Sequence, residues 1–164
     1  MKRETKDNIL MSILGITFFL NIIVMNLFPP TIEELVVVGY AILGIGALFF
    51  VLSVFTLRRK GTSNVAASGI YGIVRHPMYL GAMVMFLSHI FLGQNWIVAI
   101  STIVGIVCCY LIIRSGDQRN IEKFGDAYRR YMRSVPRMNF FVGLIRLARR
   151  RQPAPENIST SDGW

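Results

Sequence analysis

Apolar residues along this chain lie in four long runs that are separated by polar stretches. The runs cover residues 9–28, 36–55, 78–92 and 96–113. At about 1.5 Å of rise per residue, a helix over either of the first two runs is about 30 Å long, which matches the apolar core of a bilayer. The third run is shorter, but only three residues separate it from the fourth. The pattern predicts an all-α polytopic membrane protein with four transmembrane helices, of which the last two form a tight hairpin.

Composition supports the membrane class, since 53% of the residues are hydrophobic and only 16% are charged. The first run follows basic residues, so a cleaved signal peptide is the alternative interpretation of this segment. However, the run is longer than the apolar part of a typical signal peptide. It also ends at Asn26-Leu27-Phe28-Pro29-Pro30, which lacks the small residues of a cleavage site. We therefore expect an uncleaved first helix.

The distribution of charge predicts how the bundle is oriented. Basic residues precede the first run and follow the second and fourth runs, whereas the connection between the first two runs carries Glu33 and Glu34. Basic loops are retained on the cytoplasmic side of a membrane. We therefore expect both termini and the loop over residues 56–77 to be cytoplasmic.

The segment after the fourth run is strongly basic. Between residues 114 and 151, basic side chains outnumber acidic ones eleven to three. Beside predicted spans, such a segment is typical of binding to anionic lipid headgroups rather than to nucleic acid. Its apolar residues recur at steps of three and four, which predicts amphipathic helices. We expect one membrane domain over residues 1–151, with a cytoplasmic amphipathic segment at 114–151, and a disordered tail at 152–164.

Several polar or small residues within the runs have structural interpretations. Cys108 and Cys109 are adjacent, so on a helix their side chains point about 100° apart and cannot form a disulfide with each other. We expect them to be packing residues, and no metal site is predicted. His89 in the third run is expected to form a hydrogen bond between helices rather than to act in catalysis. Three glycines of the second run are expected to permit close helix contact: Gly39, Gly44 and Gly46.

Two polar motifs flank the predicted hairpin, at residues 69–81 and 122–137. The first contains Arg75-His76-Pro77, and proline is well suited to the first turn of a helix. Arg75 and His76 are then held at the membrane boundary beside a helix N-terminus, whose partial positive charge favours an anionic ligand. We expect Gly81, four residues into this helix, to leave room for a ligand. Charged groups at this depth are costly to desolvate and are typical of functional sites.

Together the motifs resemble a known group of membrane enzymes. The string Gly-x-Tyr-x-x-Val-Arg-His-Pro-x-Tyr-x-Gly, a hydrophobic hairpin and then Phe-Gly-x-x-Tyr-x-x-Tyr-x-x-x-Val-Pro-Arg are similar to the isoprenylcysteine carboxyl methyltransferase and phospholipid methyltransferase group. The resemblance implies S-adenosylmethionine, bound between the hairpin and the C-terminal segment, and a lipophilic acceptor that enters from the bilayer. It implies cofactor-binding roles for Tyr71, Arg75, His76, Pro77, Tyr79, Gly81, Asp117 and Tyr128.

One position departs from the pattern of that group. The group usually has two adjacent glutamates eight residues before Phe-Gly, and this chain has Gly116-Asp117 there. The resemblance implies that the Asp117 carboxylate bonds the ribose or amino group of the cofactor and offsets its sulfonium charge. Arg75 is expected to clamp a carboxylate acceptor, whereas His76 is the candidate base for an amine acceptor.

Two other functions remain open on the sequence alone. Membrane sterol and isoprenoid reductases, which use NADPH, carry a similar Arg-His-Pro-x-Tyr-x-Gly string and a C-terminal Asp followed by Lys-Phe/Tyr-Gly. Asp117 and Lys123-Phe124-Gly125 fit that pattern. The third possibility is a non-catalytic membrane subunit that has the same fold and binds lipid.

Overall fold

The computed structural model describes residues 3–60, 65 and 67–151. Within these residues the chain is all-helical, with a 3₁₀ turn at Gly69–Gly72 before the third helix and no strand. The expected disordered tail at 152–164 lies outside the described residues. The α-helices are α1 (Arg3–Leu27), α2 (Glu33–Lys60), α3 (Pro77–Gly93), α4 (Trp96–Phe124), α5 (Asp126–Ser134) and α6 (Phe140–Arg151).

Three of the helices are long and apolar enough to cross a membrane: α1, the Glu33–Arg59 part of α2, and α4. The predicted third span corresponds to α3, an apolar helix of 17 residues, which is at the short end of the length that a bilayer requires. The described residues therefore have the helices of an integral membrane protein. Four complete crossings stay a prediction.

The long helices pack in two pairs, α1 along α4 and α2 along α3, and α3 joins the pairs by packing on α4. Glycine allows the closest of these approaches. A Cβ atom at Gly46 would lie 2.8 Å from the carbonyl oxygen of Gly81, and one at Gly39 would lie 2.7 Å from the side chain of Leu92. Close helix contact is thus confirmed at Gly39 and Gly46, but nothing lies within 4 Å of a Cβ atom at Gly44.

This difference predicts opposite outcomes for two alanine substitutions on the same helix. We expect Gly46→Ala to lower the free energy of unfolding by about 1–3 kcal/mol, because the added methyl group must push α3 away from α2. Gly44→Ala is the matched control, and it is expected to be neutral or slightly stabilising because alanine is the better helix former. Unfolding by a denaturing detergent, followed by circular dichroism, measures the free energy of unfolding of both variants. Equal destabilisation by both would contradict the close α2–α3 packing.

Other polar residues of the runs are used in packing. His89 Nδ1 lies 3.1 Å from Asn21 Nδ2 on α1, which confirms the expected hydrogen bond between helices. Cys108 and Cys109 are both buried and free, as expected of packing residues.

At the sharp α3–α4 turn, Gln94 adopts a left-handed conformation, with φ of 43°. Asn95 then caps α4 by accepting a hydrogen bond from the backbone N–H of Ile97.

The helix that contains the fourth run extends beyond that run, and the end of the membrane span at residue 113 stays a prediction. Helix α4 continues through the polar residues to Phe124, and it ends only at Gly125, where φ is 54°. A helix does not need an apolar sequence once one of its faces is covered by other parts of the protein. The predicted amphipathic stripe is therefore divided between α4 and α5, although its residues still form one cluster. The buried members are Tyr128, Tyr131 and Val135, and Ile121 and Phe124 pack against them.

Candidate functional site

The Arg-His-Pro motif lies where α3 begins, as its sequence predicts. Pro77 is the first residue of the helix and His76 precedes it as the N-cap residue. The backbone N–H of Arg75 donates to the carbonyl oxygen of Pro136 at 3.0 Å. Arg75 and His76 are only 9% and 8% exposed. The motif is therefore an ordered and buried part of the fold rather than a flexible loop at the membrane surface.

A single carboxylate organises the buried polar groups of this region. Asp117, which is 3% exposed, accepts hydrogen bonds on Oδ1 from His76 Nε2 at 2.7 Å and from the hydroxyl of Tyr128 at 2.7 Å. Arg75 Nη1 reaches the same oxygen at 3.3 Å. On the other side, Arg137 Nε donates to Oδ2 at 2.9 Å. Both carboxylate oxygens thus accept hydrogen bonds from side chains outside α4, and the single negative charge pairs with two guanidinium groups.

The second motif closes directly over the first. One contact between the motifs is the hydrogen bond from the backbone N–H of Arg75 to the carbonyl oxygen of Pro136. In a second contact, the hydroxyl of Tyr131 donates to the backbone oxygen of Tyr71 at 2.6 Å. Burial raises the pKa of Tyr128 to about 12, so at neutral pH this residue is a neutral phenol that donates its proton to Asp117. Burial likewise raises the pKa of Tyr71 to about 12. The two motifs, separated by the α3–α4 hairpin in sequence, therefore form one polar unit.

Beside this unit is a cavity of about 340 Å³. Four of the residues expected in the site line it, namely Tyr71, Arg75, His76 and Tyr79, whereas Pro77, Gly81, Asp117 and Tyr128 are not among its lining residues. Gly81 faces α2, because a Cβ atom there would lie 2.7 Å from the carbonyl oxygen of Gly46. The room beside Gly81 thus accommodates a helix rather than a ligand. The remaining lining residues are Leu57, Met78, Gly116, Arg119 and Asn120.

Three residues of this region are not among the site residues that the sequence predicts. Arg137 ends the Val-Pro-Arg string, so the motif itself was the signal that could have identified it. Arg119 and Asn120 follow Asp117 on α4, and only the continuation of that helix brings them to the cavity. A further acid, Asp7 of α1, is 5% exposed; it accepts a hydrogen bond from Ser115 Oγ at 2.8 Å and forms an ion pair with Arg119 Nη1 at 3.1 Å.

A comparison with known families matches the part of the chain that contains Arg75, His76 and Asp117. The model of the phospholipid methyltransferase family matches residues 34–123, which is more than half of the chain. The chain belongs to the phospholipid methyltransferase family. This membership identifies it as a membrane protein of a methyltransferase family that acts on lipid. The matched range includes the Arg-His-Pro motif and Asp117, whereas α1 and the second motif beyond Lys123 lie outside it.

No curated protein and no solved structure gives a significant match to the chain. The family assignment therefore rests on the family model, together with the motif residues that this model covers.

Proposed function

We propose that the protein is an S-adenosylmethionine-dependent methyltransferase whose lipophilic acceptor, an isoprenylcysteine carboxylate or a lipid, enters from the bilayer. The observation that carries this proposal is the cavity lined by Arg75 and His76. Both side chains contact the buried Asp117 carboxylate, which does not itself line the cavity. Preorganised charged groups beside a partly enclosed cavity are characteristic of active sites. Family membership supplies the reaction class.

The residues around the cavity fit this cofactor. Its volume of about 340 Å³ lies within the usual range for small-molecule sites, about 300–1,000 Å³. Arg75 Nε is a buried donor without a hydrogen-bond partner among the described residues, so it is available to a carboxylate such as that of the methionine part. Tyr79 offers an aromatic face to a cation, and Asn120 offers an amide to the polar edges of a nucleoside. When bound, S-adenosylmethionine supplies an electrophilic methyl group on a sulfonium sulfur.

Asp117 acts in this proposal as a positioning residue. The resemblance implied direct contact between this carboxylate and the cofactor, but four protein side chains already donate to its two oxygens. Its contribution is to fix the Arg75 guanidinium and the His76 ring at the cavity wall. A shorter acid than the usual glutamate suits that role, because the donors approach it closely from several sides.

Asp117 also determines which nitrogen of His76 can act as a base. A carboxylate beside two guanidinium groups is an acceptor, so the proton of a neutral His76 ring lies on Nε2 and is donated to Asp117. The lone pair is then on Nδ1. We infer that Nδ1 takes the proton from an amine acceptor, whereas a carboxylate acceptor needs no base and is oriented by Arg75. In either case the acceptor atom must approach in line, about 3 Å from the methyl carbon.

An apolar groove suits the hydrocarbon part of the acceptor. It has a volume of about 360 Å³ and lies between α1, α2 and α3, with Phe18, Phe50 and Phe86 among its lining residues. Leu14, which also lines the groove, packs in the same cluster as Tyr79 of the cavity wall. A hydrocarbon chain in this groove would therefore lie close to the polar cavity.

The charge bias orients the proposed enzyme in the membrane. With basic residues concentrated at the start of α1 and after α4, the termini and the cavity are proposed to face the cytoplasm. The basic stretch over residues 114–151 then lies against the membrane surface, where anionic headgroups attract it.

Calorimetric titration of the purified protein tests the cofactor assignment. We expect S-adenosylhomocysteine, the demethylated product, to bind, and NADPH not to bind. Binding of NADPH alone would indicate the reductase, and binding of neither would favour a non-catalytic lipid-binding subunit. The Arg130→Gln variant is a matched control, because this exposed arginine of α5 is not among the residues that line the cavity. It should bind S-adenosylhomocysteine as the unmodified chain does.

A further inference from the structure

A second polar cavity lies on the other side of α4, between that helix and the start of α1. Its volume is about 380 Å³, and we refer to it as the α1–α4 pocket. Three of its lining residues are cationic and none is acidic. The pocket is therefore suited to an anion. Its lining residues are Arg3, Lys6, Leu111, Arg114, Ser115 and Gln118.

The positive charge in the α1–α4 pocket is only partly balanced by the protein. Arg3 forms an ion pair with Glu122, and the nearby Asp7 carboxylate is taken by Arg119. Within the part of the chain that the structure describes, Lys6 and Arg114 form no ion pair, and both are exposed. These two cations remain available to a ligand, and Ser115 and Gln118 add neutral hydrogen-bonding groups.

The position of the α1–α4 pocket indicates what kind of anion it meets. Arg114 is the first charged residue after the apolar run of α4, so the pocket lies where the apolar surface of the bundle gives way to polar surface. Residues three, four or seven apart share one face of a helix. On the same faces, toward the apolar middle of the bundle, Ile9 is 45% exposed below Lys6 and Val107 is 50% exposed below Arg114. A ligand with an anionic head and hydrocarbon chains matches this surface.

We propose that the α1–α4 pocket binds the phosphate of a membrane phospholipid, with the acyl chains of that lipid against the exposed apolar faces of α1 and α4. The site is not implied by the family match, because Arg3 and Lys6 belong to α1, outside residues 34–123. It is also distinct from general attraction of lipid to the basic stretch after α4, since two of its three cations, Arg3 and Lys6, come from α1. The binding does not depend on methyl transfer.

The α1–α4 pocket and the neighbouring cavity have lining residues that contact the same acid, Asp7. Ser115 lines the α1–α4 pocket and donates a hydrogen bond to Oδ2 of Asp7, and Arg119, which lines the other cavity, forms an ion pair with the same oxygen. A phosphate bridging Lys6 and Arg114 would tie α1 to α4 at the point where Asp7 holds Arg119. We therefore expect lipid binding to stabilise the fold as well as to occupy the surface.

Thermal unfolding in a neutral detergent tests the proposal. The probes are phosphatidylglycerol, diacylglycerol with the same acyl chains, and inorganic phosphate. We expect phosphatidylglycerol to raise the Tm in a saturable way, and neither of the other probes to do so. In the double variant Lys6→Gln/Arg114→Gln the apparent affinity for phosphatidylglycerol should fall by about tenfold or more, because two cations near the phosphate are lost.

Two further double variants keep the result specific. Arg130→Gln/Arg149→Gln removes the same charge from exposed residues of α5 and α6 outside the pocket and should retain the affinity. Lys6→Arg/Arg114→Lys retains the charges and should also bind, even if the glutamine variant is poorly folded. An equal shift with diacylglycerol, an equal shift with inorganic phosphate, or equal losses in the two glutamine variants would each overturn the proposal.

Discussion

Substitution of Asp117 by asparagine is expected to abolish methyl transfer and to weaken S-adenosylhomocysteine binding by at least about 100-fold. The carboxylate is 3% exposed and pairs with Arg75, His76 and Arg137. Removal of one partner from a buried ion pair lowers the free energy of unfolding by about 3–5 kcal/mol, because the remaining charges are left uncompensated. In this variant the uncompensated groups are those that the carboxylate holds at the cavity. The amide also has only one oxygen to accept hydrogen bonds where the carboxylate has two. Calorimetry with S-adenosylhomocysteine measures the loss of binding.

Asp126→Asn is the matched control for this prediction. Asp126 is in the same C-terminal region, but its side chain is 83% exposed and lies 3.8 Å from Arg129. An exposed pair of this kind contributes little to stability, so the control should bind and turn over normally. If Asp117→Asn bound S-adenosylhomocysteine as tightly as the unmodified chain, the carboxylate would not position the site.

Substitution of Arg75 by alanine is expected to abolish turnover while the protein remains folded in detergent. The backbone hydrogen bond from residue 75 to Pro136 does not need the arginine side chain, so the two motifs should stay together. The variant loses the guanidinium group that lines the cavity and, with it, the unpartnered Nε donor. A hydrogen bond to a charged group is worth about 1.5–3 kcal/mol, so affinity for S-adenosylhomocysteine should fall by about 10- to 100-fold.

Arg137→Ala separates loss of a ligand contact from loss of a structural ion pair. Arg137 bonds the same carboxylate as Arg75, but from the opposite oxygen, and it is not among the residues that line the cavity. We expect this variant to lose stability while retaining more turnover than Arg75→Ala. The measurements are unfolding in detergent and transfer of a labelled methyl group to extractable lipid. Unchanged activity in Arg75→Ala would remove this residue from the site.

Much of the local structure could be predicted from the pattern of residues. The apolar runs indicated α1 to α4, because a long uncharged segment in lipid can satisfy its backbone groups only as a helix or in a closed barrel. Pro77 indicated where α3 begins, since proline fits the first turn of a helix. The apolar run did not indicate that α4 continues to Phe124, because hydropathy reports the apolar depth of the bilayer and not the length of a helix that protein contacts cover.

The sequence by itself determined the membrane class, the helical hairpin and the motif residues that carry the family resemblance. These features depend on local properties, namely hydropathy, charge and backbone preference. Tertiary structure decided what Asp117 contacts, which residues line the cavity, and that Asp7 of α1 reaches Arg119 of α4. A residue 112 positions away in sequence becomes a neighbour only when α1 packs along α4. Local preference contains no information about such a contact, because the packing of side chains from several helices selects it.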